Sequence, residues 1–308
     1  MTFQTIYGVD FSGARLAGKN TWIARLEPPS IYPGNGPLRL VAISSLETLA
    51  GTAERAPALA HLVDRIRGSE NALWAMDFPF GLPVEVMEPG AGWARQFRFL
   101  HAYRHDAYAA GVECVRRARE LGEALHIRRA TDTENKAPFD SYHYRIIYQT
   151  FHGMWDVLRP LRRDRETAIL PFHEYRVCSA QRILVEACPA STLKRMGLPF
   201  QNYKEPGGGR LAANRLRPRW DILDGLAAHV TITKAQRKGI MENGGGDALD
   251  AIIAGVGAAD AMKRAAVTQV TPVVQADAIQ SDKGAPFAPS NVVREAKNRY
   301  LYEGKQYI

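Results

Sequence analysis

The feature that most constrains this chain is a short strand-forming run that ends on a carboxylate, and it occurs three times. Gln4–Asp10 is rich in β-branched and aromatic residues, as a buried strand is, and Ser12-Gly13 then turns the chain toward a second extended segment. Trp74-Ala75-Met76-Asp77 ends the same way before Phe78-Pro79-Phe80-Gly81, and Leu184-Val185-Glu186 does so before Ala187-Cys188-Pro189. An acid at the C-terminal end of a strand faces the crevice where α/β sheets bind ligands. A single such acid is ordinary and serves a turn or a cap equally well. Its recurrence raises the question of a shared site.

Taken in order, Gln4–Asp10, Thr21–Leu26 and Leu38–Ile43 read as strands, with a Pro/Gly-rich loop from Pro28 to Pro37. Glu54–Arg67 carries Leu59, Leu62, Val63 and Ile66 on one helical face. Ala72–Met76 is a short apolar strand of the kind covered on both faces. A right-handed crossover through that helix sets the fourth strand parallel to a neighbour. If that neighbour is the first strand, Asp10 and Asp77 end adjacent strands ~4.8 Å apart.

Residues 93–176 are rich in Arg, His and aromatics and read as a mostly helical insertion, with helices over Ala107–Ala124 and Tyr144–Leu158. Their texture suits stacking on bases and pairing with phosphates, or equally a helical subdomain with its own small core. Gln181–Glu186 is the fifth strand. Arg195–Gly209 reads as a loop and Trp220–Val230 as a helix, and Gly244-Gly245-Gly246 releases the chain into a helix over Asp247–Arg264. Thr271–Ser290 is polar and Pro-bearing, and Asn298–Ile308 reads as a closing strand pair. The expected organisation is an α/β core over 1–92 and 177–267, the insertion at 93–176, and an extension over 268–308.

A hydrophobic fraction of 46% and a charged fraction of 23% fit a soluble globular protein with a real core. The first residues lack a signal-peptide layout, and the most apolar helical run, Ala251–Met262, is too short to span a bilayer. The expectation is a cytoplasmic protein without membrane contact, its oligomeric state open, a homodimer included. Cys114, Cys178 and Cys188 are odd in number and lack ligand spacing, so they read as reduced and structural. His101 and His105 are i, i+4, but His-Ala-Tyr-Arg-His has no acid between them and does not match a zinc-protease motif. The net charge of +8 lies mostly after residue 92, which suits a polyanionic substrate or simply a basic, solvated surface.

Asp247 and Asp250 share a helix face, where they either cap the helix and complement its dipole or join the strand-end acids. Carboxylates gathered at one end of a sheet repel one another. Divalent cations relieve that repulsion, and hard oxygen ligands favour Mg²⁺ or Mn²⁺. Two such ions ~4 Å apart activate water and stabilise the leaving oxygen of a phosphodiester.

The β-β-β-α-β-α-β-α order with acids at these points resembles the ribonuclease H fold. Gly8-Val9-Asp10-Phe11-Ser12-Gly13, Asp77-Phe78-Pro79-Phe80-Gly81-Leu82-Pro83, Glu186-Ala187-Cys188-Pro189-Ala190 and Asp247-Ala248-Leu249-Asp250-Ala251 are similar to the blocks of a family of predicted ribonuclease H-like nucleases, domain of unknown function 429. The resemblance implies a mixed five-stranded sheet flanked by helices, with the insertion between strands four and five. It makes Asp10, Asp77, Glu186, Asp247 and Asp250 metal ligands and catalytic residues, and sets Lys204 beside the site. The long basic insertion departs from the family pattern.

The leading expectation is a metal-dependent nuclease acting on DNA or RNA, with Ser12, Lys204, Arg210, Arg215 and Arg217 as substrate contacts. One alternative is nucleotide binding or phosphotransfer in the actin and sugar-kinase fold, which normally duplicates a hairpin like Gly8–Ala14; no second copy occurs here. Another is a nucleic-acid-binding protein without catalysis.

Overall fold

The structure is a computed structural model that describes residues 3–29, 36–90, 92–103, 106–122 and 124–270. Its strands are β1 (Thr5–Asp10), β2 (Trp22–Glu27), β3 (Leu38–Ser45), β4 (Ala72–Asp77), β5 (Thr167–Ile169), β6 (Arg182–Glu186) and β7 (Val230–Thr231). They form one mixed sheet in the order β5-β6-β4-β1-β2-β3-β7. β2 runs antiparallel to both β1 and β3, while β4 lies parallel to β1, β6 parallel to β4, β5 parallel to β6 and β7 parallel to β3. The class is therefore α/β, as the sequence indicates.

The sheet has seven strands where five are expected from the sequence. The expected five are its central members, and the two extra strands are edges. β5 lies in the stretch expected to be mostly helical and pairs with β6, while β7 pairs with β3 through Leu38 and Arg39. The segment expected as one helix over Trp220–Val230 instead has its helix earlier, at Ala213–Gly225, and ends in β7. The closing pair expected at Asn298–Ile308 lies outside the described residues.

The main helices are α1 (Arg55–Arg67), α2 (Trp93–Ala102), α3 (Ala107–Glu120), α4 (Ile147–His152, continued by a π-turn over Gly153–Leu158), α5 (Pro189–Arg195), α6 (Ala213–Gly225), α7 (Lys234–Glu242) and α8 (Asp247–Val270). Successive strand residues point to opposite faces, so each central strand feeds two cores. Val9, Trp74, Met76 and Leu184 pack against α1 and α2–α4. Ile6, Leu73, Ala75, Ile183 and Val185 pack against α6, α7 and α8. The insertion thus has no separate core: Phe97, Leu100, Ala110, Phe151 and Leu158 are continuous with the sheet. Its aromatics are largely structural, as in the Trp93–Phe172 stack at 3.9 Å.

The contact that fixes the site is that of α8 on β1. Backbone meets backbone there: a β-carbon on Gly8 would collide with the Ala251 carbonyl oxygen and the Gly255 amide. Only glycine permits this approach. It brings the first turn of α8 over the end of β1. Among the described residues, no helix is long and apolar enough to cross a membrane.

Candidate metal centre

β1 and β4 pair in parallel register with Asp10 opposite Asp77, so both carboxylates leave the same edge of the sheet. Gly246, at φ +87°, turns the chain into α8, and the Asn243 side chain accepts from the Ala248 amide at 3.2 Å. Asp250 lies one turn into the helix and descends onto the two strand ends. Asp10, Asp77 and Asp250 each present a carboxylate oxygen within 4.8 Å of the others. Asp10 and Asp250 are buried, at 8% and 2% exposure.

One ammonium faces the three acids. Lys204 Nζ forms an ion pair with Asp250 Oδ2, and the Tyr203 hydroxyl donates to Asp250 Oδ1 at 2.8 Å. Tyr203 and Lys204 are themselves held from behind by Arg219, which is fully buried. Its guanidinium donates to the carbonyls of Tyr203 (2.7 Å), Ile240 (3.1 Å), Asn243 (2.5 Å) and Gly244 (2.9 Å). One buried arginine therefore ties the lysine segment to the loop that launches α8.

The electrostatics follow from burial and like charge. Burial, then Asp250, push the Asp77 carboxyl up to about 8, against the pull of Lys204. Burial raises Asp10 well above the carboxylate range, with Asp250, Asp77 and Asp247 adding to it and Lys204 opposing. Asp247 is raised as well, by burial and by Asp250, with Lys204 again opposing. Burial works against the charge on Lys204, but Asp250, Tyr203 and Asp10 together hold its pKa well above the ordinary lysine value. Three converging carboxylates against one ammonium leave an excess of negative potential. Either protons or a cation must neutralise it. The donors are all hard oxygens, so Mg²⁺ or Mn²⁺ fits this set.

Not all five expected acids meet. Glu186 ends β6 and borders the same cleft, but both of its oxygens are engaged. Arg129 donates to Oε1 at 2.5 Å and to Oε2 at 2.9 Å, and the Phe80 amide donates to Oε2 at 2.8 Å. Arg129 also pairs with Asp132 at 2.6 Å. Asp247 borders a second depression, on the other side of Lys204. The site is thus a trio with two flanking acids.

Of the expected substrate contacts, Lys204 alone lines the cleft. The Ser12 hydroxyl accepts from the Ala14 amide at 3.3 Å within its own turn. Arg215 braces the lysine segment, donating to the Lys204 carbonyl at 2.6 Å and pairing with Glu205 at 3.2 Å. Arg217 pairs with Asp221 on the exposed side of α6. Arg210 borders a separate groove. These arginines support or flank the site: Arg215 and Arg217 of α6 have partners away from the three acids, and Arg210 precedes that helix. His101 stacks on Trp155 at 5.2 Å, while His105 lies outside the described residues.

The cleft, of about 230 Å³, also has walls that the sequence does not point to: Arg129, Asp132, Phe139 and Gln149 from the insertion, and Tyr203. Gln149 donates to the Phe11 carbonyl at 2.8 Å, locking α4 to the turn after β1. The adjacency of Tyr203 to Lys204 is the one sequence signal that could have found any of them. The chain matches no family model, no curated protein and no solved structure.

Proposed function

We propose that this protein is a divalent-metal-dependent nuclease of ribonuclease H-like architecture, hydrolysing phosphodiester bonds of DNA or RNA in the cytoplasm. The observation that carries the proposal is the convergence of Asp10, Asp77 and Asp250 within 4.8 Å, from two adjacent strand ends and one helix start. Support for the architecture comes from the central strand order β6-β4-β1-β2-β3, in which an antiparallel meander is followed by two parallel strands. The blocks around Asp10 and Asp77, similar to those of the predicted ribonuclease H-like nucleases, support the same reading.

Asp10, Asp77 and Asp250 would hold the metal, with Glu186 and Asp247 at its margins. A divalent ion supplies Lewis acidity toward a phosphoryl oxygen and a source of hydroxide at neutral pH. The protein's own residues prepare the site. Tyr203 fixes one oxygen of Asp250. Lys204 offers a positive charge at the mouth, where a phosphate oxygen would approach. Arg129 orients Glu186 while walling the cleft from the insertion side. Pro79 and Phe139 add apolar wall to the cleft.

The test is cleavage of labelled single-stranded, duplex and hybrid DNA and RNA with Mn²⁺ or Mg²⁺, comparing wild type with Asp10→Asn. Metal-dependent cleavage lost in the folded variant supports the proposal. Full activity in Asp10→Asn contradicts it.

A further inference from the structure

Outside the carboxylate cleft lies a larger groove, of about 1090 Å³, between α6 and α7. Leu216 and Trp220 of α6 and Met241 of α7 give it an apolar floor, and Arg210, Lys234, Arg237 and Lys238 surround it. Four of its charged lining residues are bases and one, Glu242, is an acid. Arg210 and Lys234 have no ion-pair partner among the described residues. Trp220 is 41% exposed, and the Arg237 guanidinium lies 5.6 Å from the centre of its ring while pairing with Asp224. A large aromatic left in water forgoes the burial that usually stabilises it, so its position calls for a partner with an apolar face.

The groove is also continuous with the acids. An intermediate depression shares Lys204 with the carboxylate cleft and Gly208 with the groove. Phosphates are attracted to the bases and bases stack on an exposed aromatic face, a combination that matches single-stranded nucleic acid. A duplex buries its base faces and cannot use Trp220 in this way.

We propose that the α6–α7 groove binds a single-stranded segment of nucleic acid, with a base stacked on Trp220 and its backbone running past Arg210 and Lys234 toward Lys204. This deepens the nuclease reading and rests on it for what happens at the acids. It assigns the enzyme a substrate with a single-stranded tail or gap.

The experiment is fluorescence anisotropy of labelled oligothymidylate in EDTA, which separates strand binding from metal and from cleavage. Wild type is expected to bind with strong salt dependence, and Trp220→Ala to bind about ten-fold more weakly. Trp220→Phe should recover most of that loss, since a ring remains for stacking. Lys234→Glu should weaken binding and flatten the salt dependence. Circular dichroism checks that each variant is folded. Unchanged affinity in Trp220→Ala and Lys234→Glu overturns the proposal, as does equal competition by a blunt duplex. A Trp220-dependent self-association or capture of an acidic peptide, without oligothymidylate binding, also overturns it. Binding as expected with no cleavage under any metal removes the nuclease reading and leaves the groove standing. Cleavage without groove-dependent binding does the reverse.

Discussion

Asp10 and Asp77 are register partners on adjacent parallel strands, and Asp250 descends onto both from α8. Neither strand end can hold its charge without affecting the other.

Metal-free protein should therefore lose stability as the pH rises. The Asp77 carboxyl is raised from 3.8 to about 8 by burial and then by Asp250. Between those values the folded state binds more protons than the unfolded one, so unfolding becomes easier as pH increases. In EDTA, Tm should fall from pH 5 to pH 8.5 by more in wild type than in Asp77→Asn. Saturating Mn²⁺ should restore it at the upper end, since a ligand that binds only the folded state stabilises it. Parallel pH profiles for the two proteins in EDTA would count against this account of the acids.

The opposite slope is expected lower in the pH range, from another group. Burial, then Arg176, lower His173 from 6.5 to about 4, and its Nδ1 accepts from the Ile169 amide at 3.4 Å. Here the folded state binds fewer protons than the unfolded one, so stability is lost as pH falls from 6.5 to 4, by on the order of 2 kcal/mol. His173→Gln should remove that contribution to the acid limb, as read by urea midpoints at pH 4.5 and 7. An unchanged acid limb in the variant would show that His173 does not carry it.

Arg129 is the residue through which the insertion controls Glu186. Removing it leaves Glu186 and buried Asp132 without their shared partner, which should destabilise the protein by about 3 kcal/mol. Arg129→Met should lower the urea midpoint strongly, and adding Glu186→Gln should recover part of the loss. Strictly additive effects would mean that the pair is not coupled.

Two glycines should respond in opposite senses to the same substitution. Gly8→Ala drives a methyl into the backbone of α8, lifting Asp250 from Asp10. It should destabilise by about 1–3 kcal/mol and weaken Mn²⁺ binding. Gly239→Ala, in the middle of α7 with open space around it, should stabilise by up to about 1 kcal/mol. Thermal melts of both variants read the difference.

The strand ends were legible because Gln4–Asp10 and Ala72–Met76 combine β-forming composition with an acid and a turn residue. Local pattern therefore found Asp10 and Asp77. It could not choose between Asp247 and Asp250, which share a helix face; the Gly8–Gly255 contact selects Asp250. Nor could it foresee that Arg129, 57 residues before Glu186, would engage that acid. The edge strands escaped notice for a different reason. β7 is two residues long and β5 three, too short to show a period. Arg215 and Arg217 are expected from the sequence to contact substrate together, yet Arg215 braces the Lys204 carbonyl while Arg217 faces solvent, a division set by helical phase and packing.

The central claim is that the trio holds a divalent cation, and Mn²⁺ titration followed by electron paramagnetic resonance tests it without reference to any substrate. Wild type at pH 7.5 should show saturable binding, competed by Mg²⁺ and abolished or greatly weakened in folded Asp10→Asn. A folded wild type that binds no Mn²⁺, or an Asp10→Asn variant that binds it equally well, would contradict the account.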